Sequence, residues 1–190
     1  MRDENSQANV YVLAKEKSVR PSRRLGIAAI ALVTCLAATS DNPGQALRNL
    51  ALTSPASNFG STKPHQPFAV IMDIADQKGV VSVLVTSSGD ASLYLSTGGA
   101  IIGGIRHDSV RNAALEMMRE AAGQVGQLKA TETYAYPAKG NVSFFVRTPE
   151  ATLTSTVSEM ALRERQHPLS PLYAAGQKVI TELRRFEISK

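Results

Sequence analysis

The chain has 190 residues, of which 43% are hydrophobic and 19% are charged, and its net charge is +5. This length fits one ordinary domain with an extension, and the composition excludes disordered, collagen-like and multi-span membrane proteins. The single cysteine, Cys35, cannot form an internal disulfide, and His65, His107 and His167 have no Cys or His at metal-ligand spacing. We therefore expect a globular domain with no disulfide and no metal site.

The positive charge is concentrated in the first 40 residues. This segment contains six basic and three acidic residues, and hence +3 of the net charge of +5. Nucleic-acid binding needs a concentrated basic surface, often with aromatic side chains that stack on bases, and the rest of the chain has neither. We therefore expect no nucleic-acid partner.

The N-terminal segment is typical of an export signal. Arg20, Arg23 and Arg24 come directly before an apolar run at 25–38, which small residues follow. As a helix this run would span about 21 Å, less than the ~30 Å of a bilayer core, which favours a cleaved leader over a membrane anchor. We therefore treat residues 1–40 as a leader or extension and residues 41–190 as a single α+β domain.

Other interpretations of this segment stay open. Residues 22–25 partly match a twin-arginine signal, although Gly26 stands where a large apolar residue is usual. Residues 32–35 approximate a lipoprotein box, although Thr34 replaces the usual Gly, Ala or Ser. A buried alanine-rich helix or a plain extension is the remaining alternative. Export or membrane tethering is slightly favoured over a cytoplasmic location, and we expect a membrane contact only through this segment, if it is uncleaved.

A short helix and three strands are predicted at the start of the domain. Asn42 is a candidate N-cap with Pro43 at the first helical position, and the helix is expected at 45–52. A loop rich in Ser, Thr, Pro and Gly follows at 53–66. The strands are then predicted at 68–75, 80–86 and 91–96. The first two are apolar on both faces, whereas the third alternates, so the first two are expected at the centre of the sheet.

A second helix, three more strands and a last helix follow. The second helix is predicted to begin at Asp108 or Ser109 and carries one apolar stripe at three- and four-residue spacing. The strands are predicted at 131–136, 142–148 and 151–157. A turn at 137–141 joins the first two, and the threonine-rich third strand is expected at an edge. Residues 158–169 receive no assignment, and the last helix begins at Ser170.

These elements predict an α+β fold in the order α-βββ-α-βββ-α. Consecutive hairpins favour a largely antiparallel sheet of about five to six strands with helices packed on it. The arrangement is similar in topology, by analogy only, to profilin-like and roadblock-like domains.

Three segments resemble a group of small bacterial proteins of unknown function. The segments are SLYLSTGGAIIGG at 92–104, HDSVRNAA at 107–114 and HPLSPLYAAGQKVI at 167–180. The resemblance extends over roughly residues 45–185 and implies a single domain to which residues 1–40 are an addition. It implies no catalytic residue, substrate or partner, and Ala100 stands where a further glycine is expected.

The candidate site is the Gly-rich loop at 97–108, whose backbone N–H groups could face an anion at the start of the second helix. Its candidate ligand-binding residues are Gly98, Gly99, Gly103, Gly104, His107 and Asp108. The loop matches neither the G-x-x-x-x-G-K-[ST] pattern of phosphate loops nor the G-x-G-x-x-G dinucleotide pattern. The alternative is that these glycines allow close packing of a strand and a helix.

No constellation of reactive residues is present in the sequence. His107 next to Asp108 could be an oriented base, but the spacing selects no serine as a nucleophile and no G-x-S-x-G elbow occurs. We expect no catalytic residue and no cofactor, and the sequence leaves open whether the protein is an enzyme.

The predicted function is a non-enzymatic interaction or scaffold module. Such a domain would offer a sheet edge or a helix face to a protein partner or to a second copy of itself. The alternative is a small-ligand-binding or enzymatic domain that uses the Gly-rich loop.

Overall fold

The computed structural model describes residues 42–59 and 64–188. The predicted leader, its signal segment at 25–38 and the domain boundary at 41 lie outside these residues and stay predictions. Within the described ranges, no helix has the length and apolar character needed to cross a membrane.

Four α-helices, three short 3-10 helices and seven strands make up the described domain. The α-helices are α1 (Pro43–Thr53), α2 (Asp108–Gln124), α3 (Glu159–Arg163) and α4 (Ser170–Ile188). The strands are β1 (Ala69–Ala75), β2 (Val80–Thr86), β3 (Ala91–Leu95), β4 (Ala100–Ile101), β5 (Lys129–Thr131), β6 (Asn141–Arg147) and β7 (Thr152–Ser158). All strand pairs are antiparallel, in the order β4-β3-β2-β1-β6-β7-β5. The predicted α+β class is confirmed, with seven strands rather than five or six.

The second half of the sheet differs from the prediction in position and in pairing. The strand predicted at 131–136 is the short β5, which pairs with β7 and not with β6. The predicted hairpin is therefore wrong, because the tyrosines of residues 132–140 pack over the sheet instead of extending a strand. Tyr134 contacts the edge of Phe145 with ring centroids 6.0 Å apart. Consequently β7 is not the edge strand; β5 lies outside it.

The two faces of the sheet are covered by different helices. Alternate residues such as Val70 and Met72 point into a large core with α2, α3 and α4. Ala69 and Ile71 point the other way, into a smaller core with the end of α1 and with Phe68. Because side chains alternate along a strand, β1 is buried on both sides, as its apolar sequence predicts.

The first helix begins as its sequence predicts. The Asn42 side chain accepts hydrogen bonds from the N–H groups of Gly44 at 3.0 Å and Gln45 at 3.3 Å, and Pro43 occupies the first turn. At the other end, Arg147 of β6 donates to the carbonyl of Ala51 at 2.6 Å. Both ends of α1 thus have hydrogen-bond partners.

A buried ion pair joins α1 to the centre of the sheet. The Arg48 guanidinium is 2% exposed and the Asp73 carboxylate of β1 is 0% exposed. Arg48 Nε donates to Asp73 Oδ2 at 2.9 Å, and Nη2 donates to the same carboxylate. The ring of Tyr136 covers the guanidinium, with its centroid 4.2 Å from Cζ.

Polar residues flank this ion pair in a row across the sheet. In the strand register Asp73 lies between Ser82 of β2 and Ser143 of β6, and the Ser143 hydroxyl is 2.7 Å from that of Thr156. Burial raises the pKa of Asp73 above its usual range, while the hydrogen bonds and charge of Arg48 and a hydrogen bond from Ser82 oppose that shift. Arg48 and Ser82 thus favour the ionised form of Asp73, which burial disfavours.

We expect Arg48→Met to destabilise the fold by about 3–5 kcal/mol at about pH 8, because it leaves a buried carboxylate without a partner. Without Arg48, the folded state keeps a proton on Asp73 that the unfolded state releases near pH 4. The variant therefore loses stability as pH rises from about 4 to the raised pKa of Asp73 in the folded state. Urea unfolding followed by circular dichroism at several pH values measures both effects. The double variant R48M/D73L should recover most of the loss, and equal stability of the two variants at every pH would contradict the prediction.

Candidate functional site

The Gly-rich loop forms two tight turns between β3 and α2. Gly98 and Gly99, with φ angles of 104° and 95°, make the turn from β3 to β4. Gly103, with φ of 89°, leads from β4 into a short 3-10 turn at Gly104–Arg106. These positive φ angles require glycine, which explains the pattern without a ligand.

Gly104 is the point where this loop packs against the core. A Cβ atom there would lie 2.6 Å from Val110 Cγ1, 3.0 Å from the Ala91 carbonyl oxygen and 3.1 Å from Leu183 Cδ2. No side chain fits in that space, so Gly104 supports the close-packing alternative for the loop.

Two of the predicted anion-binding donors, and the N–H of Ile105 in the same loop, are engaged within the chain. The N–H groups of Gly98 and His107 donate to backbone carbonyls at 3.0 and 3.1 Å. The N–H of Ile105 donates to Asp90 Oδ1 at 3.1 Å. His107 is half-buried and directly precedes α2, and Asp108 is exposed in the first turn of that helix. The structure thus brings the six predicted residues into one loop, and their role in ligand binding stays a prediction.

The same loop exposes two large apolar side chains that the sequence analysis did not single out. Ile102 is 54% exposed and Ile105 is 43% exposed. In the part of the chain that the structure describes, the other exposed large apolar residues are Leu50 and Met160, which lie apart on α1 and α3. The available signal was the pair Ile101-Ile102 between glycine pairs, because consecutive residues of an extended segment point to opposite sides and only one of the two can face the core.

A second feature is a cavity of about 950 Å³ formed by α3, the following connection and the first turns of α4. We call it the α3–α4 cavity. Its polar and charged lining includes Glu159, Arg163, Arg165, His167, Ser170 and Tyr173, and none of its lining residues belongs to the Gly-rich loop. The sequence analysis missed it because residues 158–169 received no assignment, although the start of α4 at Ser170 is confirmed.

Hydrogen bonds fix several side chains in this cavity. The Tyr173 hydroxyl donates to Glu159 Oε1 at 2.7 Å, and Arg163 Nη1 lies 3.9 Å from the same oxygen. His167 Nδ1 accepts from the N–H of Leu169 at 3.2 Å, which places the proton of the neutral ring on Nε2. Burial, followed by the hydrogen bond and the negative charge of Glu159, raises the pKa of Tyr173 to about 12. The Tyr173 hydroxyl therefore stays protonated throughout the physiological pH range and donates its hydrogen bond to Glu159.

No family model, curated protein or solved structure matches the chain. The resemblance to small bacterial proteins and the profilin-like or roadblock-like analogy therefore stay predictions. Among the described residues, no three His, Cys, Asp or Glu side chains are grouped so that they could hold a metal ion.

We expect Gly104→Ala to lower the free energy of unfolding by about 1–3 kcal/mol, because the added methyl group would overlap Val110 and the Ala91 carbonyl. Gly126→Ala is the matched control, since a Cβ there would meet no atom within 4 Å. Urea unfolding of both variants measures the difference. Equal stability of the two variants would show that the loop does not depend on this contact.

We expect Glu159→Gln to lower the pKa of Tyr173, because it removes the negative charge next to the phenol. Above about pH 10 the unfolded chain ionises this tyrosine, while folded Tyr173 keeps its proton. Tyr173 therefore lowers the stability of the wild type between about pH 10 and 12. The variant should lose less stability over the same range. The difference in ultraviolet absorbance between wild type and Y173F after a rapid pH jump measures the pKa. Ionisation near pH 10 in the wild type would contradict the assignment.

Proposed function

We propose that this domain is a protein-interaction module that associates with a second copy of the chain. The loop surface that mediates this contact consists of Ala100, Ile102, Ile105, Arg106 and Asp108, all exposed. The observation that carries the proposal is the exposure of two isoleucines three residues apart on one loop.

The two isoleucines provide the apolar centre of the contact. Fully burying an isoleucine side chain contributes about 1.5–3 kcal/mol, so covering the exposed parts of Ile102 and Ile105 would contribute roughly 2 kcal/mol together. Exposed apolar residues scattered singly are ordinary on protein surfaces, whereas contiguous apolar patches mark interaction sites. Leu50 and Met160 belong to the ordinary kind, since each is isolated.

The loop is held in place before any partner binds. Gly104 packs against Val110 and Leu183, and the Ile105 N–H is bonded to Asp90. A surface that is already ordered loses less conformational entropy on association. The close packing that explains the glycines thus also supports an interaction role.

The charges beside the isoleucines favour a second copy as the partner. A two-fold symmetric contact uses the same patch on both molecules, so the patch must complement itself. Arg106 and Asp108 carry opposite charges on this loop, and a two-fold axis would set Arg106 of one copy against Asp108 of the other. The outer edge of β4 ends the sheet but is only two residues long, so side chains rather than added strand pairs provide the contact.

Sedimentation velocity of the full chain over a range of concentrations tests this function. We expect reversible dimerisation that the double variant I102D/I105D weakens by about tenfold or more in dissociation constant, because charge is then placed at the centre of the contact. The matched control is L50D/M160D, which introduces the same charges at two exposed apolar positions elsewhere.

Two results would overturn the proposal. One is a chain that stays monomeric at hundreds of micromolar, on the order of the highest concentration at which weak dimers still form. The other is an association that I102D/I105D and L50D/M160D reduce equally. Circular dichroism of each variant confirms that the fold is retained.

A further inference from the structure

The α3–α4 cavity has the dimensions of a small-molecule site. Its volume of about 950 Å³ lies near the upper end of the range for ligand pockets. Leu162, Pro168, Pro171 and Ala174 provide apolar lining, and charged groups lie beside them. A ligand with one apolar part and one polar group would match this division.

The Ser170 hydroxyl in the cavity lining has no hydrogen-bond partner. Ser170 is 6% exposed, and among the described residues only its Oγ and Arg147 Nε are buried side-chain polar atoms without a partner. Buried hydroxyls in folded proteins are almost always hydrogen-bonded, to protein, water or ligand. The Oγ atom itself has almost no accessible surface, so Ser170 borders the cavity with its other atoms, and the cationic side chains provide the contacts to a bound ligand.

The charges around Ser170 favour an anion. Arg163 and Arg165 are the cationic lining residues, and Glu159 is the one acidic lining residue. Glu159 already accepts the Tyr173 hydroxyl and lies near Arg163. The N-terminal end of α4 adds a partial positive charge. The net excess is close to one positive charge, which suits a singly charged group better than a doubly charged one.

Arg165 occupies a backbone position that normally favours glycine. Its φ angle is 59°, and it ends α3 in a Schellman turn in which the N–H of Gln166 donates to the Ala161 carbonyl at 2.9 Å. Residues other than glycine are strained in this conformation, and such strain often occurs at functional sites. The long cationic side chain at this position is consistent with a binding role.

We propose that the α3–α4 cavity binds a small carboxylate with an apolar body. The carboxylate contacts Arg163 and Arg165, and the apolar body lies against Leu162 and Pro171. The site is separate from the loop surface, so each proposal can fail without the other.

Binding of 4-phenylbutyrate to the full chain tests this site by amide chemical shifts in NMR titrations. At up to about 10 mM ligand we expect saturable shifts confined to residues 159–177, with at least about fivefold weaker binding of the neutral 4-phenylbutyramide. Phenyl phosphate should also bind more weakly, because Glu159 repels the second charge. Absence of shifts with 4-phenylbutyrate, or equal binding of its amide, overturns the proposal; tighter binding of phenyl phosphate overturns the carboxylate assignment.

Variants separate binding from folding. R165G relieves the strained φ angle, so we expect an unchanged or higher melting temperature together with at least about fivefold weaker binding. The matched control is R119Q, which removes one positive charge from an exposed position on α2. Equal weakening by R165G and R119Q would show a non-specific charge effect and overturn the site, whereas I102D/I105D should leave binding unchanged.

Discussion

The ion pair between Arg48 and Asp73 is the constraint on which the arrangement of layers depends. It is the one contact between opposite charges on the α1 face of the described structure in which both partners are buried. A buried charge is tolerated only when its partner is correctly placed. The pair therefore fixes the position of α1 along β1 more sharply than the surrounding apolar contacts, which tolerate small shifts. The row of serines beside Asp73 serves the same end, since their hydroxyls match a carboxylate and would not match an apolar neighbour.

The two faces of the sheet consequently differ in kind. The face under α2 and α4 is a continuous apolar core, which provides most of the stability through burial. The face under α1 combines a small apolar cluster with polar contacts, which provide specificity at a cost in desolvation. The loop surface and the α3–α4 cavity both lie at elements on the α2 and α4 face of the sheet. The apolar core thus gives them a rigid support.

Local signals in the sequence predicted most helices and strands, but they could not predict which distant strands pair. The apolar runs of β1 and β2 and the alternation of β3 predicted these strands. Capping residues and proline placement predicted the cap at Asn42 and the start of α4 at Ser170. The pairing of β5 with β7 could not be predicted, because it depends on Tyr134 and Tyr136 packing over the sheet. Asp73 was the unused clue: a single charge in an apolar strand requires a buried partner. The cavity depends on how α3 and α4 meet, which no local pattern specifies.

The central position of β1 has a consequence for synthesis on the ribosome. Its neighbour β2 follows directly, but its other neighbour, β6, comes about 70 residues later. While the nascent chain grows, one hydrogen-bonding edge of β1 stays open, and Ile71 and Met72 are only partly covered. Such an open edge can pair with another nascent chain. The vulnerable period ends when Arg147 has left the exit tunnel, so codons that slow translation between β3 and β6 would lengthen the exposure and lower the yield of folded protein.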